Sequence, residues 1–439
     1  MNTFSNECIA SELNLFSDPL TQTEIVDSRL IEYTPITSID KLNRICFSIN
    51  GSGSDFVKLN SSFFIVNVQI SKKDATDFTD DDSFYPVNNF FHSIFNKIEI
   101  FFNRTLILTD SSNYAYRAYF QTLLNFNSDD QENLLSASLW KKDSCTKMES
   151  ISEKDGNDGG RYRFNRLKKI DEKNYSIQLA GRLFIDLFNT DQLMLNGVNI
   201  DIDLIQNENA FPFVSKVPLV FNINQISYYV RKMKLNPTVF SDIEDRLSKS
   251  PAMYPFIRSK LKTFNILANN QSIHHENVIL GTLPARIFIA FIETSAFHGN
   301  SSLSVTKNPF NFKNFNIDYI CVYKNGIQIP SRAFQPDFDQ SEYMRSYLSV
   351  FQSTNTFYQN NSVNINYDEY ADGFTIWGFD LTTDQCDDDY YRAPESGNIK
   401  LEVRFKNLLS SNATALIYAD YNCTLQITNN REVITDYII

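Results

Sequence analysis

The chain carries one ordered set of sequence landmarks twice. In each half, a proline and an asparagine precede a strand-like run, a two-residue turn, a second short run and an amphipathic segment with an arginine and a tyrosine. The two turns lie 222 residues apart (325 − 103), and the two prolines, Pro86 and Pro309, lie 223 apart. The repeat predicts two tandem copies of one domain, and two copies are too few for a solenoid or a propeller.

The two turns predict matching hairpins. Asn325-Gly326 is typical of a type I′ turn, because both central residues need positive φ and glycine tolerates it. Asn103-Arg104 is a weaker version of the same turn. We expect the helical arginines and tyrosines of the repeat to occupy equivalent places in the two domains. The structural positions predicted in this way are Asn103, Arg104, Arg117, Tyr119, Asn325, Gly326, Arg345 and Tyr347.

Strict alternation of apolar and polar residues dominates the chain, as in 198–204, 399–406 and 421–428. This period is typical of strands with one face on a core. Helical periodicity is confined to short segments, at 116–124, at 343–351 and between Pro237 and Pro251. The sequence therefore predicts an all-β fold of two tandem eight-stranded antiparallel jelly rolls, a double jelly roll, with a few short helices.

The predicted boundaries follow the repeat. Residues 1–39 are expected to form an extended N-terminal arm outside the sheets, 40–235 the first jelly roll, 236–256 a connecting segment and 257–439 the second jelly roll. The first jelly roll has a long polar insertion at about 127–169, which predicts a large exposed loop. The basic residues in its last part are predicted to form a solvated face: Arg161, Arg163, Arg166, Lys168 and Lys169.

A search for chemical motifs yields no predicted catalytic, cofactor-binding or metal-binding residue. The net charge of −12 argues against a surface that wraps nucleic acid. The six cysteines have no metal or disulfide spacing, which favours reduced thiols. His274-His275-Glu276 is interpreted as a surface loop. No apolar run reaches membrane-spanning length, and the first residues lack the pattern of a secretory signal.

Several blocks, in order along the chain, resemble the major capsid proteins of Polinton (Maverick) elements and the related adintoviruses. These blocks are 11–23, 86–95, 114–119, 283–286, 308–312, 378–382 and 433–437. The resemblance runs along nearly the whole length and departs from the family at 127–169 and around 352–368. It implies a double jelly-roll capsid subunit that is not an enzyme.

The resemblance also implies partners and a location. Three chains would form a homotrimer with six similar walls, a pseudo-hexameric capsomer that packs beside neighbouring capsomers in an icosahedral shell. A single jelly-roll penton protein would complete the shell, with assembly in the host nucleus and no direct sequence-specific contact with nucleic acid.

Two alternatives remain open. One is a carbohydrate-binding or carbohydrate-cleaving β-sandwich, since carboxylates that act together in glycoside hydrolysis meet only in the fold. The other is a capsid protein, encoded by an element or retained by a host, that no longer makes virions.

Overall fold

The fold is taken from a computed structural model, which describes residues 15, 21–37, 43–51, 53–79, 82–109, 113–152, 156–297, 307–357, 359, 362–382 and 393–437.

The first half contributes eleven of the strands in this described part of the chain. They are β1 (Ile25–Tyr33), β2 (Arg44–Ile49), β3 (Asp55–Lys72), β4 (Phe84–Pro86), β5 (Phe95–Phe102), β6 (Thr105–Thr109), β7 (Lys168–Lys169), β8 (Asn174–Gly181), β9 (Ile200–Gln206), β10 (Phe213–Ser215) and β11 (Leu219–Leu235).

The second half contributes the other strands. They are β12 (Ala252–Ile266), β13 (Ser272–Thr282), β14 (Arg286–Glu293), β15 (Phe312–Lys313), β16 (Ile317–Lys324), β17 (Ile327–Phe334), β18 (Asp372–Gly373), β19 (Ile376–Asp380), β20 (Ser396–Phe405), β21 (Ala413–Ile427) and β22 (Val433–Thr435).

The helices are short and lie between strands. They are α1 (Phe90–Ser93), α2 (Tyr114–Asn125), α3 (Ser128–Glu132), α4 (Asp158–Asn165), α5 (Pro237–Leu247), α6 (Thr294–Phe297), α7 (Met344–Ser353) and α8 (Tyr367–Ala371).

Most strands of each half form two facing antiparallel sheets, while β4 pairs with β10 and β15 pairs with β18 in separate two-stranded sheets. In the first half, β1-β11-β3-β8 faces β2-β9-β5-β6, with the short β7 added beyond β8. In the second half, β12-β21-β14-β19 faces β13-β20-β16-β17. The orders correspond strand for strand, so two eight-stranded jelly rolls follow each other along the chain. The predicted double jelly-roll fold is confirmed.

Alternation in the sequence places the cores. Along β3, each second residue from Phe64 to Ile70 is buried, and the residues between them are partly exposed. The same pattern in β20 buries residues such as Leu401 and Val403. Apolar side chains on one face of each sheet therefore meet between the sheets and fill one core in each jelly roll.

The predicted N-terminal arm is corrected where the structure describes it. Residues 25–33 form β1, which pairs with β11 from Ile25↔Leu235 to Tyr33↔Tyr228 and is the edge strand of its sheet. The sequence concealed this strand because an edge strand buries little, and most of β1 is exposed. The arm residues 1–14, 16–20 and 38–39 lie outside the described residues.

The connecting segment contains a helix and the start of a strand. Helix α5 begins at Pro237, and the Asn236 side chain accepts a hydrogen bond from the Thr238 amide at 3.1 Å as its N-cap. Strand β12 begins at Ala252, inside the predicted segment 236–256. The second sheet thus starts a few residues earlier than the sequence pattern indicated.

Candidate functional site

Two equivalent hairpins mark the repeat in the structure. Lys324 pairs with Ile327 around Asn325 and Gly326, whose φ angles are 50° and 83°. In the first jelly roll, the turn residues Asn103 and Arg104 have φ angles of 47° and 69° and join β5 to β6. Positive φ at both central residues is what a type I′ turn requires.

Each turn asparagine makes the same pair of hydrogen bonds. The backbone N–H of Asn103 donates to the backbone carbonyl of Asn199 at 3.0 Å. The side-chain oxygen of Asn103 accepts from the backbone N–H of Asn199 at 2.8 Å. Asn325 does the same with Asn398, at 3.1 and 3.0 Å. This shared detail supports the duplication independently of strand order.

Arg117 lies in a buried polar network at the junction of the two jelly rolls. It is 1% exposed, and its guanidinium donates to Asp186 at 3.1 Å and to the Phe184 carbonyl at 2.5 Å. Gln121, one helical turn further along α2, donates to the other oxygen of Asp186 at 3.0 Å. Burial raises the pKa of Asp186, while Arg117 opposes that rise.

The network continues into the second jelly roll through Ser259 of β12. The Ser259 amide donates to Asp186 at 2.8 Å, and its hydroxyl donates to Asp420 at 2.9 Å. The Tyr418 hydroxyl donates to the Ser259 hydroxyl at 2.8 Å. Burial raises the pKa of Asp420 to about 6, and the nearby Asp186 adds to the rise.

Tyr119 is the centre of an aromatic cluster at the same junction. Its ring stacks on Phe310 of the second half with 4.2 Å between centroids, and it meets the edge of Phe312 at 5.5 Å. The next residue of α2, Phe120, stacks on Tyr418. Large aromatic surfaces buried in this way hold the two jelly rolls in a fixed relation.

The polar insertion also joins the two jelly rolls, which corrects the predicted exposed loop. Arg163 is fully buried and pairs with Asp143 at 2.5 Å. Asn308, from the second half, donates to the other oxygen of Asp143 at 3.2 Å, and Asn157 donates to Asp143 at 2.7 Å. The predicted solvated face is therefore wrong at Arg163, because its charge is neutralised inside the fold.

Arg345 and Tyr347 of α7 have different surroundings from Arg117 and Tyr119 of α2. Arg345 is exposed and donates to the backbone carbonyls of Arg332 at 2.8 Å and Ala333 at 3.2 Å. The Tyr347 hydroxyl donates to the Ile365 carbonyl at 3.1 Å. Arg117, in contrast, is buried at the junction of the two jelly rolls.

Sequence analysis missed Asp186, Ser259 and Asp420, although one signal pointed to the first. An aspartate stands between apolar neighbours in Ile185-Asp186-Leu187 and again in Phe379-Asp380-Leu381. A charged residue in an otherwise buried segment needs a partner. The partner could not be named because Arg117 and Ser259 lie 69 and 73 residues away along the chain.

The described residues offer no cluster of three or more histidine, cysteine or carboxylate side chains that could hold a metal ion. Burial lowers the pKa of His92 to about 3, so this histidine stays neutral beside the Tyr114 hydroxyl, 2.8 Å away. His274 is exposed and lies on strand β13, not in the predicted loop.

Among the helices that the structure describes, none combines the length and the apolar character needed to cross a bilayer.

The geometry defines a double jelly-roll protein whose halves are joined by a buried polar network and an aromatic cluster. No protein-family model matches the chain. An uncharacterized protein of Caenorhabditis elegans is 22% identical over 437 residues, covering 96% of this chain and all of that protein.

Solved viral proteins share the fold along nearly the whole chain. The Sputnik virophage structure matches with a TM-score of 0.69 and 14% identity, over 98% of this chain and 93% of that one. The mavirus major capsid protein matches with a TM-score of 0.60 and 9% identity, over 98% and 95%. The Faustovirus major capsid protein matches with a TM-score of 0.58 and 9% identity, over 95% of this chain and 93% of that one. These similarities establish the double jelly-roll fold.

Proposed function

We propose that the chain is a major capsid protein, the structural subunit of an icosahedral, virus-like shell. The observation that carries the proposal is the match of both jelly rolls, in order, to viral major capsid proteins along nearly the full length of each chain. A fold alone serves many functions. Here the likeness includes the tandem arrangement of two jelly rolls, which is a far more restrictive feature than a single β-sandwich.

The proposed working unit is a homotrimer. Three chains with two similar jelly rolls each give six walls around one axis, and this pseudo-hexameric capsomer packs beside its neighbours. A shell tile must keep its shape under lateral contact. The buried network of Arg117, Asp186 and Ser259 and the stacking of Tyr119 on Phe310 support this role by fixing one jelly roll against the other.

Further parts of the proposal come from the resemblance and the charge. The chain would belong to the Polinton and adintovirus group, act without catalysis and without a cofactor, and share its shell with a penton protein. Its place would be the virion capsid, assembled in the host nucleus. With a net charge of −12, the subunit would leave packaged DNA to basic proteins.

Light scattering and electron microscopy of the purified full chain test the proposal together. We expect a mass three times that of the 50.7 kDa chain and particles of hexagonal outline, or closed shells. A chain that stays monomeric at every concentration and shows no assembled particle contradicts the proposal. DNA binding that weakens steeply with salt would contradict the expected indifference to nucleic acid.

The alternative is a carbohydrate-binding or carbohydrate-cleaving β-sandwich. One observation favours it, namely the outer face of β3, β8 and β11, whose segments 62–71, 174–181 and 219–230 contain no charged residue and where Phe63 stacks on Tyr229. A glycan array and a hydrolysis assay distinguish the two functions. Binding or turnover by a monomeric chain supports the alternative, and the absence of both removes it.

A further inference from the structure

A polar cleft lies at one end of the second jelly roll, where loops between its strands meet part of the insertion of the first. The loops are 314–316 before β16, 371–373 before β19 and 407–410 between β20 and β21, and the insertion contributes 145–149. We call it the loop-end cleft, and its volume is about 650 Å³. A cleft of this size holds a small organic ligand.

Ion pairs hold the insertion against the second jelly roll beside the cleft. Glu149 of the insertion accepts hydrogen bonds from Lys307 at 3.2 Å and from Asn311 at 3.1 Å. Glu293, at the end of β14, pairs with Lys307 at 3.0 Å and with Lys313 at 2.5 Å. The two carboxylates and the two ammonium groups therefore neutralise one another, and they fix one wall of the cleft.

A close contact at Gly373 shapes another part of the cleft. Gly373 has a φ angle of 96°, which glycine adopts without steric cost. A Cβ atom at this position would lie 2.6 Å from the Cε atom of Met148 and 3.2 Å from the carbonyl oxygen of Cys145. The insertion thus reaches the second jelly roll without a gap. A cleft that is formed in advance loses little conformational freedom when a ligand binds.

The loop before β16 lines the cleft with a strained backbone. Phe315 and Asn316 have φ angles of 47° and 49°, and a bulky residue such as phenylalanine is an outlier in this region. The backbone N–H of Asn316 donates to the Asn314 side chain at 2.8 Å, and its carbonyl accepts from the backbone N–H of Lys406 at 2.9 Å. Strain that the surrounding structure maintains is typical of binding sites, where it positions particular side chains.

The cleft offers neutral hydrogen-bonding groups next to apolar surface. Asn316, Asn407 and Ser410 line it, and within the described part of the chain their side chains make no hydrogen bond. A side-chain amide and a hydroxyl both donate and accept hydrogen bonds. Phe315 and Leu408, the latter 59% exposed, add apolar surface. This mixture matches a saccharide, whose hydroxyl groups donate and accept and whose ring has an apolar C–H face.

The charges of the cleft disfavour an acidic ligand. Among the described residues that line it, the charged ones are one lysine and two carboxylates, Lys313, Glu149 and Asp372. Lys313 already pairs with Glu293 and lies 3.8 Å from Glu149. An anion would meet the exposed carboxylate of Asp372, which repels it. A neutral ligand avoids this repulsion.

We propose that the loop-end cleft binds a neutral saccharide. The inference goes beyond the proposed function, because it concerns a cleft within a single chain and does not depend on assembly. It also differs from the carbohydrate alternative, for which the observation is the outer face of β3, β8 and β11. Loops carried by a rigid β-sandwich are common places for binding sites.

The test presents sugars to the purified full-length chain. The probes are neutral oligosaccharides of glucose, galactose, mannose and N-acetylglucosamine, together with their sialylated and sulfated forms. They are offered free in solution and tethered through their reducing ends, which distinguishes a free sugar from the end of a glycan chain. We expect at least one neutral oligosaccharide to bind and its acidic forms to bind at least tenfold more weakly.

Two asparagine variants locate the site. Asn407→Ala removes an amide from the cleft, whereas Asn430→Ala removes an exposed amide from the turn between β21 and β22, at the other end of β21. Neither side chain makes a hydrogen bond within the described part of the chain, so both variants should fold, which circular dichroism checks. We expect Asn407→Ala to weaken saccharide binding at least fivefold and Asn430→Ala to leave it within twofold.

A measurement on the wild-type chain covers the case in which Asn407→Ala fails to fold. The bound oligosaccharide carries a photoreactive diazirine, and mass spectrometry locates the residues to which it crosslinks. Crosslinks to 314–316, 371–373 or 407–410 support the inference. Crosslinks only to β3, β8 and β11 overturn it in favour of the carbohydrate alternative.

The remaining outcomes separate this inference from the capsid function. The inference is wrong if no neutral oligosaccharide binds, if the acidic forms bind better, or if folded Asn407→Ala binds as well as the wild type. Light scattering of the same samples measures assembly. A chain that assembles and binds no sugar keeps the function and loses the inference. A monomeric chain that binds sugar in the cleft keeps the inference and loses the function.

Discussion

At the scale of single residues, buried ion pairs lie where the two jelly rolls meet. Arg117 pairs with Asp186, and Arg163 pairs with Asp143, with all four side chains at most 2% exposed. Buried pairs of this kind add little net stability compared with apolar packing, but removing one partner strands a charge in the interior. Their value lies in fixing which surfaces meet, since each carboxylate also accepts a bond from the second half.

Arg163→Leu should therefore destabilise the fold by about 3–5 kcal/mol, because Asp143 loses its countercharge while it stays buried. Arg161→Leu, two residues earlier on α4, removes an exposed charge and should cost less than about 1 kcal/mol. Urea-induced unfolding of both variants checks the contrast. Equal effects would mean that the Asp143 pair is unimportant.

The raised pKa of Asp420 makes stability depend on pH in an identifiable direction. Its carboxyl binds a proton more tightly in the folded chain, with a pKa of about 6, than at its ordinary value of 3.8. Its contribution to the free energy of unfolding is therefore fully present below about pH 4 and is lost as the pH rises through 6.

Asp420→Asn mimics the protonated form at every pH. We expect the variant to match the wild type near pH 4 and to exceed its free energy of unfolding by about 2–3 kcal/mol at pH 7. Denaturant unfolding at several pH values measures the difference. A difference that stays constant from pH 4 to pH 7 contradicts the buried titration.

At the scale of elements, the paired hairpins offer an internal comparison. The same turn uses Gly326 in one jelly roll and Arg104 in the other, both with positive φ. A non-glycine residue in this region carries a cost of about 1–2 kcal/mol, partly offset by the greater freedom of glycine in the unfolded chain.

Arg104→Gly should accordingly stabilise the protein by about 1 kcal/mol, and Gly326→Arg should destabilise it by a similar amount. The two changes exchange the same residue types between equivalent positions, so each serves as the other's control. Thermal and urea unfolding measure both. A shift of the same sign in both variants would show that the two turns are not equivalent.

The elements also show what sequence could and could not provide. Alternation identified strands such as β9, β20 and β21 because their two faces meet different environments. It failed for β1, whose exposed edge gives no periodic signal. It also failed for the insertion, where the charged residues Arg163 and Asp143 are buried as an ion pair. The alternation of apolar and polar residues therefore indicates a buried position only where the buried side chain is apolar.

At the scale of the whole molecule, the junction decides whether the jelly rolls behave as one body. Tyr119 and Phe310 stack across it, and both side chains are fully buried. The repeat predicted the two domains, but it could not predict this interface. The residues that form it lie 191 positions apart (310 − 119). The equivalence of Arg117 and Arg345 remains a prediction, which superposition of the two halves tests.

Phe310→Ala should cost about 3–5 kcal/mol and uncouple the two jelly rolls, because it removes a fully buried ring from the aromatic cluster at their junction. We expect calorimetry to resolve two transitions in place of one. Phe405→Ala, which removes the same ring from the core of the second jelly roll alone, serves as the control. A single transition in Phe310→Ala would show that the remaining contacts suffice for coupling.

The last described residues of the chain return to the first jelly roll. The carbonyl of Arg431 accepts a hydrogen bond from Asn103 across 328 residues, and the Tyr437 hydroxyl donates to the Ile107 carbonyl across 330. During synthesis on the ribosome, the β5–β6 hairpin therefore lacks these two hydrogen bonds until residues 431–437 have been made. A translation product that stops before residue 431 would lack both contacts, so its β5–β6 hairpin would stay exposed on that side.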